Sequence, residues 1–495
     1  RTVTGKVISG DDREGMPAVS VQVKGTTSGA ITELDGSYSI QVSGPEAVLV
    51  FSFVGYVSKE EVVGNRSVIN VTLQSDVTEL GEIVVTGVAV GTPTKKLGFA
   101  IGKIGEEALR EVPATDPGNA IRGKVSGVQI VQGTGRPGTA PTIRLRGVTA
   151  ISGDQQPLII VDGVITQGSL ADINMNDVET IEVLKGAAAS SLYGSLAGNG
   201  VIQIITKRGA GGDGATRITV RQEVGNSYLA RQVPLAYHHR FELNPDGSFV
   251  LTNPNNPNTR VESPDNIIDN PYPQIFNNQE LLFKPQPFFT TNVSVANSGA
   301  KTNFFLGVEN LNQGGVVVDM PAFKRQSLRL NVDHQLNSKL KITSSTLYVN
   351  SDRPTNGENG QGGLFYPILA HEPDQDLFAN RDGGVLPRSQ SNLQNPLYEV
   401  RNLEYRRERR RLLQNFQSSY KILDWWTVEG QFSMDREWNT NENYRPKGYI
   451  TQNRPEGELG SLSNTWGNSS AEVVTASSYF RKKFGDWNTL VTLRY

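Results

Sequence analysis

The feature that most constrains the fold lies in the second half of the chain, where strand-like segments are joined by connections that alternate in size. The segments recur at 216–225, 288–297, 302–310, 325–336, 339–350, 411–422, 426–436, 472–483 and 487–495. Tight turns lie at Ser298-Gly299-Ala300, Asn337-Ser338, Leu423-Asp424-Trp425 and Gly485-Asp486. The intervening loops, 226–287, 311–324, 351–410 and 437–471, are long and rich in Pro, Asn and Gly. Short turns at one end and long loops at the other describe the meander of an outer-membrane β-barrel; a soluble sandwich rarely keeps that asymmetry through every hairpin. Alternation within the strands agrees in part. Leu328, Leu330 and Val332 share one face, with Arg329, Asn331 and Asp333 on the other, and Trp426, Val428, Phe432 and Met434 likewise fall together, as do Phe416, Tyr420 and Ile422. Trp425, Trp426, Trp438 and Tyr420 suit either the aromatic girdles of a membrane interface or the core of a soluble sheet.

Composition narrows the alternatives. The most apolar run, Ala47 to Val57, is too short for a membrane-spanning helix, whereas barrel strands barely register in hydropathy. The 51 glycines and 25 prolines favour a β-rich chain. A net charge of -2 supplies no basic field for a nucleic-acid partner. The absence of cysteine removes disulfides, thiolate metal sites and cysteine nucleophiles together. His238, His239, His334 and His371 lack metal-ligand spacing and read as loop or surface residues. No acid pair or nucleophile–base constellation stands out, so neither an enzyme nor a metal or cofactor site is expected.

Four segments succeed one another. Residues 1–75 alternate short apolar runs with turns such as "TELDG" and predict a small antiparallel β-sandwich. Residues 76–94 are a linker whose centre, Glu82-Ile83-Val84-Val85-Thr86-Gly87, is strand-prone yet belongs to neither neighbour; the alternative is a last strand of the sandwich or a first strand of the next segment. Residues 95–214 mix short strands with small helical pieces in an α+β unit, and 215–495 carry the barrel-like strands. "GTGRPG" (Gly133 to Gly138) matches a dinucleotide fingerprint in letters only, because a strand, not a helix, comes after it. "RRERRR" (Arg406 to Arg411) reads first as a solvated charge run, and second as lumen lining or a contact for lipopolysaccharide phosphates.

Two sets of residues resemble known families. "VTGKV", "TELDGSYSI" and "FVGY" resemble the carboxypeptidase-regulatory-like domain. "GVQIVQGTGRPGTAPTIRLRG", "PLIIVDGV", "INMNDVETIEVLKGAAASSLYGSLAGNGVIQIITKRG" and "LQNPLYE", in that order, resemble the SusC/RagA-type TonB-dependent outer-membrane transporters over essentially the whole chain. Leu196 departs from the pattern, which usually has Arg after "YGS". The resemblance implies a mainly β protein: an N-terminal β-sandwich, an α+β plug domain, then antiparallel transmembrane β-barrel strands, about nine of about 22. The remaining strands are then expected in a longer chain or a second piece, because lipid-exposed sheet edges are not tolerated. It implies import of an oligosaccharide or oligopeptide, with a SusD-like surface lipoprotein as lid. The TonB–ExbB–ExbD complex of the inner membrane would engage Glu82 to Gly87 as the TonB box, in the periplasm. A β-prone segment with glycines around it suits strand addition to a partner's sheet edge. Arg144, Arg146, Asp162, Glu179, Glu182 and Lys185 match charged plug positions and are expected to make plug ion pairs. Phe365, Tyr366 and Phe378, in a long loop, either stack on cargo or pack against a partner. The main rival is a surface adhesin or glycan-binding protein built of β-modules, without transport.

Overall fold

The computed structural model describes residues 1–9, 14–17, 19–24, 26, 28–53, 58–73, 83–84, 92–93, 101–110, 114–147, 155–166, 168–185, 193–209, 214–255, 259–356, 364–378, 395–451, 456–484 and 487–495. The chain divides into two units, Arg1–Phe99 and Ala100–Tyr495.

The first unit is a two-sheet sandwich. β1 (Thr2–Ser9) lies between β4 (Ser37–Gln41) and β7 (Val71–Leu73); β2 (Ser20–Val23) and β5 (Val48–Ser52) are flanked by β3 (Gly29–Ile31) and β6 (Lys59–Val62). Alternate residues, among them Val3, Val7, Val21, Ile40, Leu49, Phe51 and Val71, face inward and form one buried cluster, as period-two side chains must. The Asp35-Gly36 turn holds together because Asp35 accepts from the Ser37 amide at 3.0 Å and hydroxyl at 2.7 Å. Gly5 is required by packing: a Cβ there would meet the Ile69 carbonyl oxygen at 1.8 Å. The sandwich departs from the antiparallel expectation at one pair. β7 runs parallel to β1, because the chain returns to that sheet only after crossing the second one, not by a hairpin. Within the linker, β8 (Ile83–Val84) pairs antiparallel with β9 (Thr92–Pro93); Glu82, Val85, Thr86 and Gly87 lie outside the described residues.

The second unit begins with a five-stranded sheet. Its order is β10 (Ile101–Gly105), β15 (Val178–Leu184), β16 (Val201–Thr206), β13 (Leu158–Val161) and β14 (Val164–Thr166), with a separate hairpin of β11 (Val128–Val131) and β12 (Thr142–Leu145). β13 and β16 are parallel and the other neighbours antiparallel. A nine-stranded antiparallel meander comes next: β17 (Thr216–Ser227), β20 (Gln286–Ser298), β21 (Thr302–Gln313), β22 (Phe323–Gln335), β23 (Leu340–Pro354), β24 (Glu404–Leu423), β25 (Trp426–Arg445), β26 (Ser461–Phe484) and β27 (Trp487–Arg494). The two-residue strands β18 (His238–His239) and β19 (Asn270–Pro271) pair within the loop after β17. All nine expected strands are present, but β24, β25 and β26 extend well past their expected ends, so the loops between them are shorter than expected. Apart from scattered residues such as Trp438, Leu462 and Trp466, those extensions are polar on both faces, which weakens the alternation that marks a strand in sequence. The loop between β23 and β24 carries helices at Phe365–Ala370 and Pro396–Asn402.

The small sheet packs against the inner face of the meander. Their shared core joins Ile104, Leu145, Val161, Ile181 and Ile202 to Leu347, Val349 and Leu413 of β23 and β24. The outer face presents Leu328, Leu330, Phe416, Tyr420, Phe432 and Trp425 to the surroundings, so for Tyr420 and Trp425 the soluble-core alternative fails and the girdle reading stands. Two histidines lie in the long loops, as expected, but are buried there. His239 is buried among Phe241, Phe249 and Tyr272, and His371 is buried with Nδ1 3.1 Å from the Gln375 side chain, because the long loops have a packed interior of their own.

Candidate functional site

The inner face of the strand wall mixes apolar residues such as Leu347, Val349 and Leu413 with polar ones, and its polar groups reach the small sheet at three buried arginines. β22 reads Arg325, Ser327, Arg329, Asn331 on that face; all four are buried, and the two arginines are among the largest fully buried side chains of the protein. Buried guanidinium groups require partners. Each has them, in a different arrangement.

Arg329 serves the Asp162-Gly163 turn that joins β13 to β14. Asp162 adopts φ +47, a left-handed conformation that Asp tolerates in tight turns. One carboxylate oxygen accepts from the Thr206 amide at 2.9 Å; the other accepts from the Thr206 hydroxyl at 2.6 Å, Arg329 at 2.9 Å and the Ser345 hydroxyl at 2.7 Å. The Asp162 carbonyl accepts from Asn415 at 2.7 Å. One turn is thereby held by β22, β23 and β24 at once. Burial opposes ionisation of Asp162, but Arg329, Arg208 and the Thr206 hydrogen bonds outweigh it and hold the carboxyl below the usual range. Asp177 approaches the same guanidinium at 3.9 Å, and there burial wins, pushing its carboxyl up to about 6 against the pull of Arg329.

Arg411 on β24 is clamped by Asp435 of β25 through two bonds of 2.9 Å and donates at 2.9 Å to Asp172 of the small sheet's unit; Arg409 also donates to Asp172. Arg325 is neutralised within the wall by Glu309, at 2.8 and 2.9 Å, and directs its remaining donors to the carbonyls of Thr115, at 3.0 Å, and Ala171. Neutral contacts complete the seat: Asn174 to Asn292 at 2.9 Å, and Asn331 to Thr206 and the Lys207 carbonyl, both at 2.7 Å. Arg208 pairs with Asp333 at 2.8 Å.

Of the six charged residues singled out in the sequence, Asp162 alone is at this seat. Glu182 is fully buried in the middle of the small sheet, opposite Lys103 and Gln203. Lys185 donates to the Ser126 carbonyl, and Arg144 lies opposite Gln129 in the β11–β12 hairpin. Arg146 comes just after that hairpin with φ +64, and Glu179 is solvent-exposed on β15. These five are not brought together into one cluster. Sequence reasoning misses the arginines that do the holding, although the Arg329-Asn331-Asp333 face already shows a polar row on a strand. "RRERRR" is not the solvated run that its composition suggests; the strand pleat sends Arg409 and Arg411 inward and Arg406 and Arg410 outward.

Above the seat, the "GTGRPG" loop connects β11 to β12 and, from Gly133 to Pro137, forms one wall of a cavity of about 670 Å³. Phe283, Val317, Met320, Leu364 and Phe365 supply its apolar side. Phe378 packs instead into the loop core with Leu282, Ile368 and Leu397, and Tyr366 is exposed. The long loops brace one another through Arg260, which pairs with Glu372 at 2.5 Å and Asp374 at 2.6 Å and lies 3.7 Å over the Phe249 ring.

Residues 93–201 match the TonB-dependent receptor plug domain, and residues 3–85 match the CarboxypepD_reg-like domain. TonB-dependent receptor P26 of Formosa agariphila is 31% identical over 443 residues, 86% of this chain and 42% of the relative. TonB-dependent receptor SusC of Bacteroides thetaiotaomicron is 35% identical over 211 residues, 41% of this chain and 21% of the relative. The chain thus spans less than half the length of the curated relatives it matches. Among solved structures, the RagAB peptide importer in its open-open state superposes with a TM-score of 0.67 at 22% identity, over 82% of this chain and 47% of that one, which is a likeness of fold. With a plug-domain match, an N-terminal regulatory-like domain match and TonB-dependent receptor relatives across most of its length, the chain is similar to the SusC/RagA-type TonB-dependent receptors.

Proposed function

We propose that the protein imports a nutrient, an oligosaccharide or oligopeptide, across the outer membrane of a Gram-negative bacterium, driven through TonB and paired with a SusD-like surface lipoprotein. The observation that carries this reading is the seat itself. A domain that closes the inner side of a strand wall is held there largely by side-chain hydrogen bonds and ion pairs, Asp162 with Arg329 and Asp172 with Arg411 foremost. Such contacts are individually strong when buried but break stepwise and reform in place, as a removable stopper requires. In this reading the plug spans residues 95–214, the sandwich 1–75 lies in the periplasm, and Glu82 to Gly87 is the segment the TonB–ExbB–ExbD complex pairs with. The cavity lined by Phe365 stands on the loop side, where cargo arrives, and the exposed Tyr366 is available to the lipoprotein or to cargo.

The test is deletion of Glu82 to Gly87 in the full-length gene, with uptake of oligosaccharides and peptides measured in cells whose outer-membrane level of the protein is unchanged. Loss of uptake of one nutrient supports energised import and names its class. Full uptake of a cargo that still depends on the protein removes this segment as the coupling element.

A further inference from the structure

The arginine-rich start of β24 has a second face that the plug does not use. Arg406, Glu408 and Arg410 point away from the lumen, and the register aligns them with outward residues of two neighbouring strands. Arg410 lies opposite Asn350, which lies opposite Gln326; Glu408 lies opposite Asp352, which lies opposite Lys324. With Tyr348 these side chains enclose a hollow of about 500 Å³ on the outside of the wall. Arg406 is already held by Asp352, at 3.1 Å, and by Glu408. Among the described residues Lys324 and Arg410 have no carboxylate partner, so two cations and two side-chain amides are left facing the hollow.

The depth of this hollow is set by the aromatics. At the short-turn end Trp425, Trp426 and Phe480 stack on one another, with ring centroids 5.7 to 6.3 Å apart. Twelve residues further along β25, on the same outward face, stands Trp438 with the Arg436 guanidinium 5.2 Å from its ring. At about 3.3 Å per residue and a tilt of about 40°, the two aromatic levels are about 30 Å apart across the wall, one hydrocarbon thickness. Between them the outward row is Val428, Gly430, Phe432 and Met434. Trp438 is the direct cross-strand partner of Arg410. The hollow therefore opens at headgroup level on the long-loop side, above the apolar band.

Taken with the outer-membrane reading, on which it rests, we propose that Lys324 and Arg410, with Gln326 and Asn350 beside them, bind the phosphate ester of an outer-leaflet lipid headgroup. Two unneutralised cations and neutral donors in a concave site match a phosphate's charge and acceptor oxygens. Tyr348 and the apolar row below would receive the start of the acyl region.

The experiment uses the full-length protein extracted from outer membranes in mild detergent, first confirmed by fractionation to be an outer-membrane protein; failure there defeats the outer-membrane reading and this proposal with it, whereas the lipid results below bear on the site alone. The probe is lipid A, phosphorylated or enzymatically dephosphorylated, with retention read by native mass spectrometry. Wild type is expected to retain the phosphorylated form, with retention weakened roughly tenfold or more in the Lys324→Gln/Arg410→Gln variant. Arg481→Gln, a charge loss near the opposite girdle, and Lys324→Arg/Arg410→Lys are expected to retain it. Equal retention of the dephosphorylated lipid, or by the double Gln variant when folded, overturns the proposal. Displacement by millimolar inorganic phosphate would make this a free-anion site and overturns the lipid assignment. Loss of a dimer in the double Gln variant, without a change in lipid retention, would assign the face to a second copy of the chain instead.

Discussion

At Asp162 a single carboxylate joins two domains. Replacing it with Ala leaves Arg329 buried beside only the more distant Asp177, and the uncompensated charge is expected to cost about 3–5 kcal/mol of plug docking. Limited proteolysis and urea titration of the full-length protein would show it. The Asp162→Asn/Arg329→Met pair should recover much of the loss, since removing both charges is cheaper than removing one; equal loss in the double variant would place the damage in the turn, not the ion pair. Asp177 makes a prediction of opposite sign. Its folded pKa of about 6 lies above its usual 3.8, so its contribution to stability is fully present below about pH 3.8 and is lost as pH rises through 6. Asp177→Asn should flatten that part of the pH profile and, near pH 7, stabilise the seat by up to about 3 kcal/mol. An unchanged slope in urea midpoints between pH 4 and 8 would show that another group titrates. The family resemblance picks out Asp162, which lies in the "PLIIVDGV" motif. It does not pick out Arg329 as the partner, because a sequence separation of 167 leaves no local trace of the pairing.

Elements carry the next level of constraint, and here legibility is uneven. The nine wall strands are readable from alternation and turns, since a strand with lipid on one side and polar groups on the other repeats every two residues. Their extensions are not readable, because above the bilayer Glu404 to Arg411 and Thr440 to Arg445 are polar on both faces. The elements also set how closely plug and wall approach. Gly307 on β21 stands where a Cβ would lie 2.5 Å from the Asp177 carboxylate. Gly307→Ala must push the plug's 3-10 turn at Met175–Asp177 off the wall, costing of order 1–3 kcal/mol, while Gly430→Ala on β25, with nothing within 4 Å, should be silent. Comparing protease resistance of the plug in these two variants checks the approach directly. In the loops, Arg260 is the corresponding organiser. Arg260→Ala removes the counter-charge of Glu372 and Asp374 and is expected to expose the 228–285 loop to protease without loosening the wall strands; an unchanged cleavage pattern would mean that the aromatic cluster around His239 suffices.

At the scale of the whole molecule, the open question is closure. The meander runs from β17 to β27, and among the described residues these two edge strands are not paired with each other. An edge in hydrocarbon leaves a row of backbone N–H and C=O groups without partners, at several kcal/mol per group. The plug does not compensate, because it seats on the lumen side of the wall and not along its edges. β17 exposes Ile218, Val220 and Val224, which suits an outward face beside a further strand or lipid. The wall is therefore expected to need additional strands to insert. Residues 1–495 produced alone in a Gram-negative host should be degraded or lack the heat-modifiable gel mobility of a closed barrel, and the full-length gene product should show it. A compact, heat-modifiable species from residues 1–495 alone would mean that β17 and β27 close on each other. The wall would then be narrow, and the plug could not occupy its lumen as the Arg329 and Arg411 contacts require.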